Sequence, residues 1–178
     1  MYCTIQNRAI IIKPTQETYS ALQAAYEHFN QELFEGALPE CLITLQRKEK
    51  RVYGYFWSQR FEEIGSGEKT DEIAMNPQHF KSRTIEAVLS TLAHEMVHQW
   101  QAYFGTPSRK AYHNKEWADK MESIGLMPSD TGKPGGNRTG QQMTHYIIPG
   151  GVFELACANL LSEGFKLGYD NDSFIFGP

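Results

Sequence analysis

Residues 94–98 read His-Glu-Met-Val-His, an H-E-x-x-H pattern. Residues four apart on an α-helix lie one turn apart on the same face, so the imidazoles of His94 and His98 can reach one ion. Glu95 is turned by about 100° around the helix from His94, which puts its carboxylate beside the ion rather than on it. There it can accept a proton from water. The pattern predicts a catalytic metal site with His94 and His98 as ligands and Glu95 as the general base.

The third protein ligand is expected further along the chain, because catalytic zinc usually has three protein ligands and one open position. His113, just before the next predicted helix, is the first candidate, and Glu116, one turn into that helix, is the alternative. His145 is a weaker third candidate. His79 lies ahead of the H-E-x-x-H helix and is typical of a loop residue. From the residues alone the third ligand therefore stays open.

The helix that must carry this pattern is predicted over residues 83–104, with Gly105 and Pro107 ending it. His94 and His98 fall nearly opposite an apolar arc on this helix, and Ala93 and Val97 flank them. We therefore expect the arc to pack into the core and the histidines to line the floor of a cleft. The arc consists of Ile85, Val88, Leu89, Leu92, Met96 and Trp100.

Hydrophobic periodicity predicts the remaining elements. Helices are expected over residues 16–35, 114–123 and 153–161, and strands over 9–12, 42–46, 52–58, 71–76 and 146–148, with a long loop over 128–143. The basic stretch 47–51 is interpreted as a hairpin turn between two strands. Together these elements predict an α+β fold in which a small, mostly antiparallel sheet packs against the H-E-x-x-H helix.

Composition narrows the function classes. The chain has 178 residues, a net charge of −4 and an estimated pI of 5.9, so nothing global draws it to nucleic acid or to an anionic membrane. Its three cysteines, Cys3, Cys41 and Cys157, form no C-x-x-C pair, and free thiols suit a reducing compartment. No stretch approaches the length of a membrane span. We expect a single-domain cytoplasmic protein.

The sequence resembles the SprT-like metallopeptidases, which include the Spartan-type proteases. The resemblance rests on the H-E-M-V-H helix and on His113, which follows His98 after residues 99–112 and opens the next helix. It is also carried by the stretches Phe29-Asn30, Leu33 to Pro39, Gly54-Tyr-Phe, Ile73 to Pro77 and Ile124-Gly125-Leu126. It is strongest over residues 16–126. Residues 127–178 are expected to be an extension of the same zincin-like domain.

The resemblance implies a zinc metalloendopeptidase that binds one Zn²⁺ through His94, His98 and His113 and uses Glu95 as its base. His113 is favoured over Glu116 mainly on these grounds. Substrates would be proteins or peptides, including proteins associated with DNA. Several family members carry a C-terminal four-cysteine zinc ribbon, for which this sequence has no cysteine pairs.

A second hypothesis is a nucleic-acid-associated protein whose zinc site is structural or weakly active. It rests on the family's link to DNA and on two basic stretches, residues 47–51 and 133–138, which would give weak DNA association. The group that stabilises an oxyanion is not identified by the sequence. Tyr112, His145 and Tyr146 are the candidates.

Overall fold

The computed structural model describes residues 13–47, 52–109 and 112–168. Four helices lie in these ranges: α1 (Pro14–Phe34), α2 (Ile85–Phe104), α3 (Lys115–Ser123) and α4 (Val152–Ser162). The strands are β1 (Leu42–Leu45), β2 (Gly54–Glu62), β3 (Lys69–Met75), β4 (Leu126–Ser129) and β5 (Thr144–Ile147). The strand predicted over residues 9–12 lies outside the described residues. A mixed α+β fold with small sheets is confirmed.

The strands form two sheets rather than one. In the first, the order is β1-β3-β2, with β3 parallel to β1 and antiparallel to β2. The second is the antiparallel pair of β4 and β5. The predicted hairpin between β1 and β2 is wrong, because β3 lies between these two strands. Pairing in a sheet is decided by the whole fold, whereas a turn signal reports only local chain direction.

Helix α2 runs through the centre of the molecule. The Thr84 hydroxyl accepts a hydrogen bond from the Ala87 N–H and caps its first turn. The helix contacts β2, β3 and the other three helices. Every residue from Val88 to Val97 is buried. The predicted apolar arc does pack into the core, but the histidine side is covered as well, so the middle of α2 has no solvated face.

Helix α1 packs on α2 through a stripe of apolar residues that begins at Tyr19 and repeats every three or four positions. Leu22, Tyr26 and Phe29 are buried, whereas Tyr19 at the start of the stripe is exposed. The Tyr26 hydroxyl lies 2.8 Å from Oε1 of Gln99 on α2. Gln99 in turn donates from Nε2 to Asp71 on β3, at 3.3 Å. These buried polar contacts fix α2 relative to both α1 and the sheet. Buried polar groups need such partners, since leaving one unsatisfied costs about 1–3 kcal/mol.

Among the described helices, none combines the length and the hydropathy that crossing a lipid bilayer requires.

Candidate metal centre

Three imidazoles meet at the centre of the molecule. His94 and His98 lie one turn apart on α2, with ring centroids separated by 5.2 Å. His113 approaches from the segment before α3, and its Nε2 lies 3.1 Å from Nε2 of His98. One ring nitrogen from each of the three residues falls within 4.8 Å of the others. The structure therefore brings together the three histidines that the family resemblance implies.

The spacing of these nitrogens suits a metal ion. Two nitrogen ligands of a tetrahedral zinc ion, each about 2.0–2.1 Å from the metal, lie about 3.3–3.4 Å apart. The His98–His113 separation is close to this value, and His94 is near enough to complete a three-nitrogen face. Imidazole is a common ligand for zinc and for other first-row transition metals. The residues present fit a zinc ion.

His113 is held in place by the backbone of Gly140. The two residues form an isolated antiparallel bridge, with backbone hydrogen bonds of 2.9 and 3.1 Å. Nδ1 of His113 also lies 3.2 Å from the Gly140 carbonyl oxygen. A ligating histidine usually donates its second ring N–H to such an acceptor, which fixes the ring plane. This contact leaves Nε2 of His113 facing His98.

Glu116, the alternative candidate ligand, makes hydrogen bonds outside the histidine cluster. Its Oε2 accepts hydrogen bonds from the Thr106 backbone N–H and from Nε2 of Gln101, both at 2.7 Å. Asn114 joins this network: its Oδ1 accepts from Gln101 and from the Trp117 N–H, which caps α3. The network ties the end of α2 to the start of α3. Glu116 thus helps to position His113 rather than joining the cluster.

Trp117 packs against all three imidazoles. Its ring is stacked on His98, at 5.5 Å between centroids and 22° between planes. It meets His94 and His113 edge-on, at 5.1 and 4.4 Å. The side chain is fully buried. Trp117 is therefore a packing residue that closes one side of the histidine cluster.

His145 lies behind His94. Its Nδ1 is 3.0 Å from Nδ1 of His94, and its Nε2 is 2.9 Å from the Ser90 hydroxyl oxygen. Both ring nitrogens are therefore engaged. The structure does not place His145 in the group of three, and its contacts leave no nitrogen for a substrate oxyanion. His79 lies in the short 3₁₀ turn Pro77–His79 and stacks edge-on against Tyr53, outside the cluster.

Burial keeps the imidazoles in their neutral, metal-binding form. It lowers the pKa of His94 and of His113 below their usual range. It lowers the pKa of His98 and of His145 to about 3. Charging such a group in a low-dielectric interior is unfavourable unless an anion is nearby. The cluster offers unprotonated nitrogens to a cation.

Glu95 is the buried carboxyl of the centre, with 5% of its surface exposed. Burial raises its pKa to about 8, and a hydrogen bond from the Phe56 backbone N–H opposes the rise. Strand β2 reaches Glu95 because residue 54 is a glycine. A Cβ there would lie 3.2 Å from Oε1 of Glu95 and 2.9 Å from the Ala74 carbonyl oxygen.

Gly54 and Phe56 are the contacts that sequence reasoning did not assign to the site. The available signal was a glycine at the start of an aromatic-rich strand, which marks close approach of another part of the chain. That signal does not say what approaches.

A model of the SprT-like family matches residues 22–144. The chain belongs to the SprT-like family. The match includes α2, His113 and the loop that contains Gly140. An uncharacterized protein in the mucB 3′ region of Salmonella typhimurium is 54% identical over 66 residues, which are 37% of this chain and 88% of that protein. No solved structure matches the chain.

Membership in the SprT-like family rests on sequence similarity, and the three-histidine cluster rests on geometry. They agree on the same part of this SprT-like chain. Together they support metal binding at the cluster.

Proposed function

We propose that this SprT-like protein is a zinc-dependent metallopeptidase. His94, His98 and His113 would hold one Zn²⁺, and Glu95 would act as the general base. The observation that carries the proposal is that one ring nitrogen from each of three imidazoles lies within 4.8 Å of the others, while Glu95, the residue after His94 on α2, is a buried carboxyl. A purely structural zinc site has no need of such a carboxyl.

The ligand residues would be arranged for this role before an ion arrives. His94 and His98 are fixed by the backbone of α2, and His113 by its bridge to Gly140. A zinc ion bound there supplies a Lewis acid that polarises the scissile carbonyl and lowers the pKa of the attacking water. The remaining chemistry belongs to the protein.

Glu95 would take the proton from the attacking water on a carboxylate oxygen and pass it to the leaving amine. A general base works best when its pKa is near the operating pH. Burial moves the Glu95 carboxyl in this direction, and a nearby cation would favour its ionised form. The Phe56 N–H would hold the carboxylate in one orientation.

The substrate would be an extended segment of polypeptide. Strand β2 is at one edge of its sheet, and its first residues lie against Glu95. A strand edge can add one more strand through main-chain hydrogen bonds, which bind a peptide with little regard to its sequence. This class of substrate matches the expectation from the sequence, proteins or peptides.

The direct test combines metal analysis with proteolysis of an unfolded protein substrate. Glu95→Gln should retain about one zinc per chain and lose activity by about 10²–10⁴-fold, because only proton transfer is removed. His113→Ala should lose both zinc and activity. Glu86→Gln, in the first turn of the same helix, is the matched control and should behave as the wild type.

Full peptidase activity in zinc-loaded Glu95→Gln would refute the assignment of the base. A wild-type protein that takes up no zinc would refute the metal centre.

Association with DNA stays a prediction. Most of the basic stretch 47–51 lies outside the described residues. In the other stretch, Arg138 pairs with Asp119 and Glu122, which reduces the charge it can offer to phosphate. Binding that falls steeply with salt would support DNA association, and its absence at low salt would refute it.

A further inference from the structure

A chain of hydrogen bonds runs from His94 of the candidate metal centre to residues outside the three-histidine cluster. It links His94 to His145 on β5, His145 to the Ser90 hydroxyl, and that hydroxyl to the Ala87 carbonyl oxygen. The three separations are 3.0, 2.9 and 3.0 Å. Both ring nitrogens of His145 and the Ser90 hydroxyl have a partner in it.

Ligation of an ion through Nε2 of His94 would set the direction of these hydrogen bonds. A neutral imidazole carries one N–H, so a His94 ring that offers Nε2 to a metal carries its hydrogen on Nδ1. Nδ1 of His145, 3.0 Å away, then accepts that hydrogen, and the N–H of His145 lies on Nε2, where the Ser90 hydroxyl oxygen accepts it. The Ser90 hydroxyl keeps its own hydrogen for the Ala87 carbonyl oxygen, 3.0 Å away.

We propose that His145 is a positioning residue of the metal centre, which selects the tautomer and the ring plane of His94 that present Nε2 to the ion. This rests on the proposed zinc site. Partners of this kind usually orient ligating histidines, and losing one typically weakens metal binding about 10–100-fold. Here a fourth imidazole, that of His145, takes the place that a carboxylate or a carbonyl oxygen commonly occupies.

The segment from Gly140 to His145 then serves two of the three ligands. Gly140 offers its carbonyl oxygen to Nδ1 of His113, and His145 offers its lone pair to Nδ1 of His94. The β4–β5 hairpin, far from the H-E-x-x-H helix in sequence, would thereby act as the outer support of the site.

The test measures the zinc affinity of the full-length protein by competition with a chelator. His145→Leu removes the acceptor and should weaken zinc binding about 10–100-fold. His145→Asn should stay close to wild type, because the amide oxygen of asparagine reaches the position of Nδ1. Thr144→Val, the adjacent residue on the same strand, is the matched control and should leave affinity unchanged.

Nitrogen NMR of the histidine rings in the zinc-loaded wild type gives a second readout, the tautomers of His94 and His145. A general packing role for His145 would not determine these tautomers. The proposal requires the N–H of His94 on Nδ1 and that of His145 on Nε2. This measurement decides the question if His145→Leu fails to fold, which thermal unfolding of the metal-free variants would reveal.

Several results would overturn the proposal. One is wild-type zinc affinity in His145→Leu, and another is the opposite pair of tautomers. An equal loss of affinity in His145→Asn and His145→Leu would mean that the imidazole itself is a ligand, and two zinc ions per chain would mean a second site between His94 and His145. If the wild type binds no zinc, the proposed function fails with it, whereas the other outcomes overturn only the role of His145.

Discussion

At the scale of single residues, the histidines and Glu95 of the centre differ in their roles because different groups surround them. His98 and His113 face each other through Nε2, whereas Glu95 faces the backbone of β2 through the Phe56 N–H. Neighbouring positions on one helix thus enter different surroundings, because the middle of α2 is covered on all sides. Burial favours the neutral form in each case, which suits imidazole ligands and gives a carboxyl a pKa near neutrality.

Gly54→Ala should destabilise the protein. The new methyl group would meet the Ala74 carbonyl oxygen at 2.9 Å and the Thr91 methyl at 3.0 Å, so β2 must move away from α2. Overpacking of this kind costs about 1–3 kcal/mol, and peptidase activity should fall because Glu95 loses its fixed neighbour. Denaturant unfolding and an activity assay check this.

Gly168→Ala is the control for that substitution. Its new methyl group would meet only the end of the flexible Glu17 side chain, so stability and activity should stay near wild type. Wild-type stability in Gly54→Ala would show that β2 does not approach Glu95 as described.

At the scale of elements, the connection between α2 and α3 sets where the third ligand lies. Glu116, Gln101 and Asn114 join the end of one helix to the beginning of the next. The Glu116 carboxylate, which the sequence offered as an alternative ligand, accepts hydrogen bonds at this junction instead. Its role follows from the loop between the helices, which periodicity does not describe.

Glu116→Gln should therefore keep about one zinc per chain, while His113→Ala loses it. The amide can still accept one hydrogen bond, so the loss of stability should be about 1–3 kcal/mol, as for a hydrogen bond to a charged group. Metal analysis and denaturant unfolding are the measurements. Loss of zinc in Glu116→Gln with an intact fold would make Glu116 a ligand after all.

The helices could be predicted closely, because each has a 3.6-residue pattern and a recognisable start or end. Thr84 and Asn114 cap α2 and α3 within a residue or two of the predicted starts. Sheet pairing and the place of His145 could not be predicted. Both depend on contacts between segments far apart in sequence, for which a single chain gives no periodic signal.

At the scale of the whole molecule, the centre joins three separate parts of the chain: α2, the segment before α3, and the β4–β5 hairpin. An ion bound there would crosslink α2 to the segment before α3, and hydrogen bonds from His94 and His113 connect both to the hairpin. A ligand that binds only the folded protein stabilises it by about 2.7 kcal/mol at a concentration one hundred times its Kd.

Zinc should therefore raise the thermal unfolding midpoint, and a chelator should lower it. For a chain of this size, each 1 kcal/mol shifts the midpoint by about 2–4 °C, so a rise of about 5–11 °C is expected at that concentration. Calorimetry with and without zinc measures it. His98→Ala should show no such rise, and a wild type whose midpoint is unaffected by zinc or chelator would contradict the crosslink.

Trp117, whose ring touches all three ligand imidazoles, gives the centre an internal chromophore. Indole emission is sensitive to its immediate neighbours, and here those neighbours are the groups that an arriving ion would reorient and polarise. Trp57, half exposed on β2, is a second emitter outside the cluster. Zinc loading of the unlabelled protein could therefore be followed by its intrinsic tryptophan fluorescence, with Trp117 as the reporter.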